Sequence, residues 1–148
     1  MGLRVLTVAL AAGLALAGSL RADLTKARAE PNLEKRSGLA LDNAAAQYQA
    51  ARAAYDKGES YRVAAAVAEI EESVDLAYTS LMATGKDPRR SPKWFKKAEI
   101  DTRNLLRKLD AFQQEMGFSE RSALDKVKAK VQQVHDDLLL GLMEGKKK

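Results

Sequence analysis

The 148-residue chain has no cysteine, one histidine, three prolines and one tryptophan, and aromatic residues make up 5% of it. Without cysteine there is no disulfide, no thiolate metal site, no cysteine nucleophile and no covalently attached c-type haem. A single histidine, His135, is too few for an imidazole-based zinc site. A di-iron bundle needs two Glu-x-x-His pairs, and the residue three before His135 is Gln132. A b-type haem bundle would set an axial Met near the histidine, but Met82, Met116 and Met143 all fall near the ends of the segments described below. No metal, no cofactor and no enzymatic activity is therefore expected. The few prolines leave long helices unbroken. No stretch alternates apolar and polar residues with period two, so no sheet is expected.

There is one long apolar run, residues 5–17, and it lies behind Arg4. A basic n-region, an apolar run of this length and small residues after it make residues 1–22 read as a cleavable signal peptide. A membrane span would need about 20 apolar residues, and Gly18, Ser19 and Arg21 close this run early. Cleavage fits after Ser19 or after Ala22. Residues 16–19 resemble a lipoprotein lipobox, with Ser19 where the lipidated cysteine would stand. The expectation is an exported protein, soluble in the periplasm or outside the cell, and not a lipoprotein. The formal charge is +5. Arg4 and Arg21 belong to the leader, so the mature chain is only mildly basic, and nucleic acid is not an expected partner.

Residues 23–30 form a poorly patterned extension. Residues 31–145 then divide into four segments of helical character, followed by a basic tail at 146–148. Segment one covers residues 31–57 and stops at Gly58; segment two covers 60–83 and stops at Gly85, with Pro88 beyond. Segment three opens at Ser91 and Pro92, an N-cap followed by proline at the first helical position, and ends at Gly117. Segment four opens at Ser119 as a second N-cap and runs to Glu144 before Gly145. Phe118 and Ala123 around that cap suit a hydrophobic staple.

Apolar side chains recur at spacings of three and four. The series are Val63, Val67, Ile70, Val74, Ala77, Leu81; then Phe95, Ala98, Thr102, Leu105, Leu109, Phe112, Met116; then Leu124, Val127, Val131, Val134, Leu138. Segment one is weaker, with Leu41, Ala44, Tyr48, Ala51 and Tyr55. Stripes of this period pack at about 20° in a left-handed bundle, and short turns favour antiparallel neighbours. The predicted fold is all-α: an antiparallel four-helix bundle of two long helical hairpins. Alanines at 44–46, 50, 51, 53 and 54, answered by 64–66 and 68, predict a close first hairpin.

Around its turn, Tyr55, Gly58, Tyr61 and Ala64 resemble the hairpin of a tetratricopeptide repeat over about residues 44–70. The turn holds one residue more than that repeat, no second copy follows, and the helices are longer. The resemblance implies a hairpin shape and no binding residues.

Three surface features remain. Glu69, Glu71, Glu72 and Asp75 form an acidic cluster, expected, like Asp136 and Asp137, to be a solvated face. Residues 86–97, KDPRRSPKWFKK, set Lys86, Arg89, Arg90, Lys93, Lys96 and Lys97 around Trp94. Basic groups around an aromatic suit a phosphate-bearing membrane surface or an acidic polysaccharide. Three of the lysines stand at a helix start, where the macrodipole disfavours cations. Finally, Leu138, Leu139, Leu140, Leu142 and Met143 make the last turns of segment four apolar on nearly every side, and Ile100 falls on the outer face of segment three. One stripe suffices for a bundle. The surplus predicts cover by Leu24 and the residues before Pro31, contact with another subunit, or contact with a membrane surface. Protein–protein contact, as an adaptor or a self-associating envelope component, is the leading expectation. A binding module for anionic envelope surfaces or polymers is the alternative.

Overall fold

Helical periodicity without any strand pattern leads to helix after helix. The computed structural model describes residues 19–146. Helices run over α1 Ser19–Ala29, α2 Leu33–Asp56, α3 Ser60–Ala83, α4 Lys93–Glu115 and α5 Asp125–Glu144, with a 3₁₀ segment Phe118–Leu124 before the last. The described residues contain no strand. The protein is an all-α bundle of two long antiparallel hairpins, α2–α3 and α4–α5. The signal-peptide reading rests mainly on residues 1–18, which lie outside the described ones. The neighbouring extension is not irregular: it belongs to α1, whose Leu24 and Ala27 are buried.

Every position of the three strong stripes is buried. Thr102, the one polar member, donates its hydroxyl to the Ala98 carbonyl at 2.8 Å, which satisfies it inside the core. The weak stripe of α2 has a structural reason. This helix packs against α1, α3 and α4 together, so Ser37, Gly38, Ala40, Asn43, Gln47 and Ala54 are buried beside Leu41, Ala44, Tyr48 and Ala51. A helix buried on several faces has no narrow stripe to read. Asn43 donates to Ser73 Oγ at 2.9 Å and registers α2 against α3. Of the alanines expected at this contact, Ala44, Ala51, Ala54 and Ala66 are buried, whereas Ala45, Ala46, Ala53, Ala64, Ala65 and Ala68 face outward.

The hairpins lie side by side with α2 next to α4 and α3 next to α5. These neighbours run parallel. Along α2 and α4, Gly38 meets Trp94, Tyr48 bonds the Lys108 carbonyl and Arg52 pairs with Glu115. Along α3 and α5, Glu71 pairs with Lys126 and Asp75 with Lys130. The loop of residues 84–92 must therefore cross the bundle diagonally from α3 to α4. That crossing defines two ends: a basal end covered by this loop, and a distal end holding the α2–α3 turn and the 3₁₀ segment.

Helix boundaries correct three expectations. Ser91 does not cap α4; Pro92 stands at the cap without a side-chain bond, and the Ser91 N–H closes a turn onto the Asp87 carbonyl. Ser119 does not open α5. The chain first makes the 3₁₀ segment, in which the Arg121 guanidinium reaches back to the carbonyls of Met116 and Gln114 and so closes the end of α4. The Phe118–Ala123 staple is absent, both side chains being exposed, and Arg121 lies over the Phe118 ring instead. One N-cap had gone unread: Asn32 Oδ1 accepts from the Lys35 N–H at 2.9 Å and starts α2 after Pro31.

Candidate functional site

The basic segment and the end of α5, far apart in sequence, meet at the basal end. Pro88 is buried against Gly141, where an added Cβ would lie 3.2 Å from its Cγ. Gly145, with φ +83°, is buried against the Asp87 carboxylate and the Arg89 side chain, whose Cδ lies 3.1 Å from an added Cβ. Lys146 Nζ donates to the Gly85 carbonyl at 3.1 Å. Lys86 pairs with Glu34 at the start of α2, at 2.7 Å. The diagonal loop thus ties α2, α3 and α5 together under the bundle.

Within this segment the residues divide. Trp94 is half-buried and packs on α2, where its Cζ3 lies 3.1 Å from the position of a Gly38 Cβ. Phe95 is 1% exposed in the core. Both aromatics therefore serve packing, and the expected aromatic grip within the segment is not assembled. Lys93 lies over the Trp94 ring, and Lys97 pairs with Asp101 at 2.6 Å. Arg89, Arg90 and Lys96 are exposed and have no ion-pair partner among the described residues. The segment's lone acid, Asp87, is occupied in accepting the Arg89 N–H at 2.8 Å.

The apolar end of α5 also divides. Leu138 is in the core and Leu142 packs against it. Leu139, Leu140 and Met143 stay 40%, 37% and 69% exposed, and Met82 at the parallel end of α3 is 43% exposed. Cover for the surplus comes in part from Pro88, whereas α1 packs chiefly on α2. Ile100, 44% exposed, stands one turn after Lys96 on the outer face of α4.

The other sequence features are structural. Each carboxylate of the acidic cluster pairs across a helix interface: Glu69 with Asn43, Glu71 with Lys126, Glu72 with Arg28 of α1, and Asp75 with Lys130. Glu72 and Asp75 stay exposed, as a solvated face should be, whereas Glu69 and Glu71 are half-buried beside their partners. His135 is half-buried between α4 and α5, with Nε2 3.1 Å from Glu99 and Nδ1 3.2 Å from Asp136. Among the described residues no group of three or more His, Asp or Glu side chains is arranged to hold a metal ion. No helix among them is long and apolar enough to cross a membrane. Nearby, Asp137 faces Tyr78 of α3, and burial together with that carboxylate pushes the phenol above its ordinary range.

Comparison with protein-family models, with curated proteins and with solved structures finds no match to this chain. The site is therefore argued from its own charges. Residues 86–97 carry six basic side chains and one acid, a net of +5 that equals the formal charge of the whole chain. The other 19 basic residues are balanced by 19 acids. Without Arg4 and Arg21 of the leader, the residues outside 86–97 carry 17 basic side chains and 19 acids, so the positive excess is concentrated in this segment.

Proposed function

We propose that the chain is an exported, non-enzymatic helical protein that works by contact, and that the basal end is its working surface. The leader supports the export reading. One observation carries the contact reading: the entire charge excess of the chain sits on a loop and helix start that are tied to the exposed apolar end of α5. Concentrated charge of one sign steers an oppositely charged partner and raises the rate of encounter. Exposed aliphatic side chains beside it supply short-range attraction once the partner arrives. The first turn of α4 contains no acid, so Lys93, Lys96 and Lys97 stand against the positive pole of the helix. Such a placement costs stability and is accounted for by a task at that surface.

Photo-crosslinking in the cell tests this. Probes at Arg90 and Leu140 should form adducts, whereas probes at Tyr61 and Phe118, on the distal end, should not. Equal yields from both ends, or none from either, would remove the reading. Light scattering of the purified domain separates one form of contact from another. A dimer that persists in salt assigns Leu139, Leu140 and Met143 to a subunit interface; a monomer assigns the basal end to a different partner.

A further inference from the structure

We infer that the partner of the basal end is the surface of an anionic phospholipid bilayer. The inference rests on the contact reading above and names the chemistry of what is contacted.

Charge complementarity is the first argument. Arg89, Arg90 and Lys96 are exposed and unpaired among the described residues, Lys93 is exposed, and Lys146 projects from the end of α5 into the same region. Lys147 and Lys148 follow in the sequence. Asp87, the one acid nearby in the loop, is held by the Arg89 N–H and lies against Gly145, so it is turned toward the fold. Cations free of ion pairs match a plane of lipid phosphates, and each contributes roughly a fivefold gain in affinity near such a surface.

The second argument is the kind of apolar group present. Leu139, Leu140, Met143 and Met82 are flexible aliphatic side chains at helix ends, individually 37–69% exposed. They include no aromatic, whereas a protein partner is usually met by a patch with an aromatic anchor at its centre. The one aromatic that might have anchored such a patch, Trp94, is committed to Gly38. Aliphatic side chains at the end of α5, beside a cation-bearing loop that packs on Gly141 and Gly145, suit the headgroup boundary, where apolar tips enter the acyl region and cationic heads remain with the phosphates. The long arms of the cations let both contacts form at once.

The third argument separates a bilayer from an acidic polysaccharide. A polysaccharide uses the cations and leaves the aliphatic groups in water. A bilayer uses both sets, and only a bilayer accounts for their meeting at one end, where Arg89 lies against the glycine that closes α5.

The test is sedimentation of the full mature chain with phosphatidylglycerol-containing vesicles, with phosphatidylcholine vesicles and heparin as the other arms. Expected are binding to the anionic vesicles that weakens as salt is raised and little binding to the neutral ones. The double variant Arg90→Glu with Lys96→Glu should weaken vesicle binding at least about tenfold. Leu140→Ser with Met143→Ser should weaken vesicle binding several-fold and leave heparin retention unchanged. Thermal melts and emission from Trp94 report that the variants stay folded. Failure to bind anionic vesicles overturns the inference, as does vesicle binding that survives both double variants or a Leu140/Met143 loss matched on heparin. Protein adducts from the Arg90 and Leu140 probes without vesicle binding would leave the contact reading standing and remove the lipid. Loss of adducts from both ends would remove the contact reading itself.

Discussion

The two ends of the bundle are built from opposite materials. At the distal end the cations Arg52, Lys57, Arg62, Arg121 and Lys126 are matched by Asp56, Glu59, Glu115, Glu120 and Asp125. The turn there is fastened by specific bonds: the Tyr55 hydroxyl donates to Glu120 at 2.7 Å and accepts the Gly117 N–H at 3.0 Å, and Gln113 donates to Asp125 and to the Arg121 carbonyl. Phe112 sits beneath, edge-on to Tyr48 and Tyr55 at centroid separations of 6.1 and 5.5 Å. The basal end is instead closed by steric fit, Trp94 on Gly38 and Pro88 on Gly141, while Arg89, Arg90 and Lys96 have no ion-pair partner among the described residues. The distal end balances its charges within the chain, although Tyr61 and Phe118 stay 86% and 89% exposed there. The basal end, the proposed contact surface, leaves three cations without an ion pair.

Substitutions can break this contrast in order of size. The largest effect is expected from Phe112→Ala, which empties the aromatic cluster under the distal turn. It should cost about 3–5 kcal/mol, read as a lower urea midpoint at unchanged slope. Gly38→Leu attacks the basal closure by driving a side chain into the Trp94 ring. The expected loss is about 1–3 kcal/mol. Because Trp94 is the single tryptophan, its emission should shift to the red as the ring is displaced. If emission and stability both stayed as in the parent, the basal closure would not depend on this contact.

Tyr55→Phe should be milder, about 1 kcal/mol, since it deletes one hydroxyl and its two bonds at a partly solvated site. A double-mutant cycle with Glu120→Gln would show coupling if the distal turn is held as described. The smallest effect concerns alkaline pH. Burial and Asp137 hold the Tyr78 phenol neutral beyond its usual range, so the unfolded chain releases that proton first. Stability contributed by this site is complete below the ordinary tyrosine pKa and is lost as pH rises toward the folded value. Tyr78→Phe should flatten the alkaline side of the stability profile and leave the neutral region nearly unchanged.

The four long helices and the buried stripes of α3, α4 and α5 were legible in the chain, whereas α1 and the 3₁₀ segment were not. A side chain at a three-four spacing can lie on only one face, and packing on one face is what a bundle rewards. Two kinds of feature were not legible. Ser91 and Ser119 are good caps by residue type, but where a helix starts is decided by the path of the loop, which turns at 87–91 and enters a 3₁₀ segment at 118–124. A helical pattern shows that the acidic cluster lies on a polar face but not which cations lie against it. Glu72 meets Arg28, 44 residues away, and no local rule anticipates that pair.

For the candidate site the division is similar. The sequence by itself determined that one segment carries the charge excess and that α5 ends with more apolar surface than one stripe needs, because both are matters of composition and period. Only the tertiary structure decided that these features share an end. That outcome follows from which helices became neighbours. Placing α2 beside α4 and α3 beside α5 sent the 84–92 loop diagonally under the bundle, and the loop brought its cations to the end of α5 while its tryptophan was drawn onto Gly38.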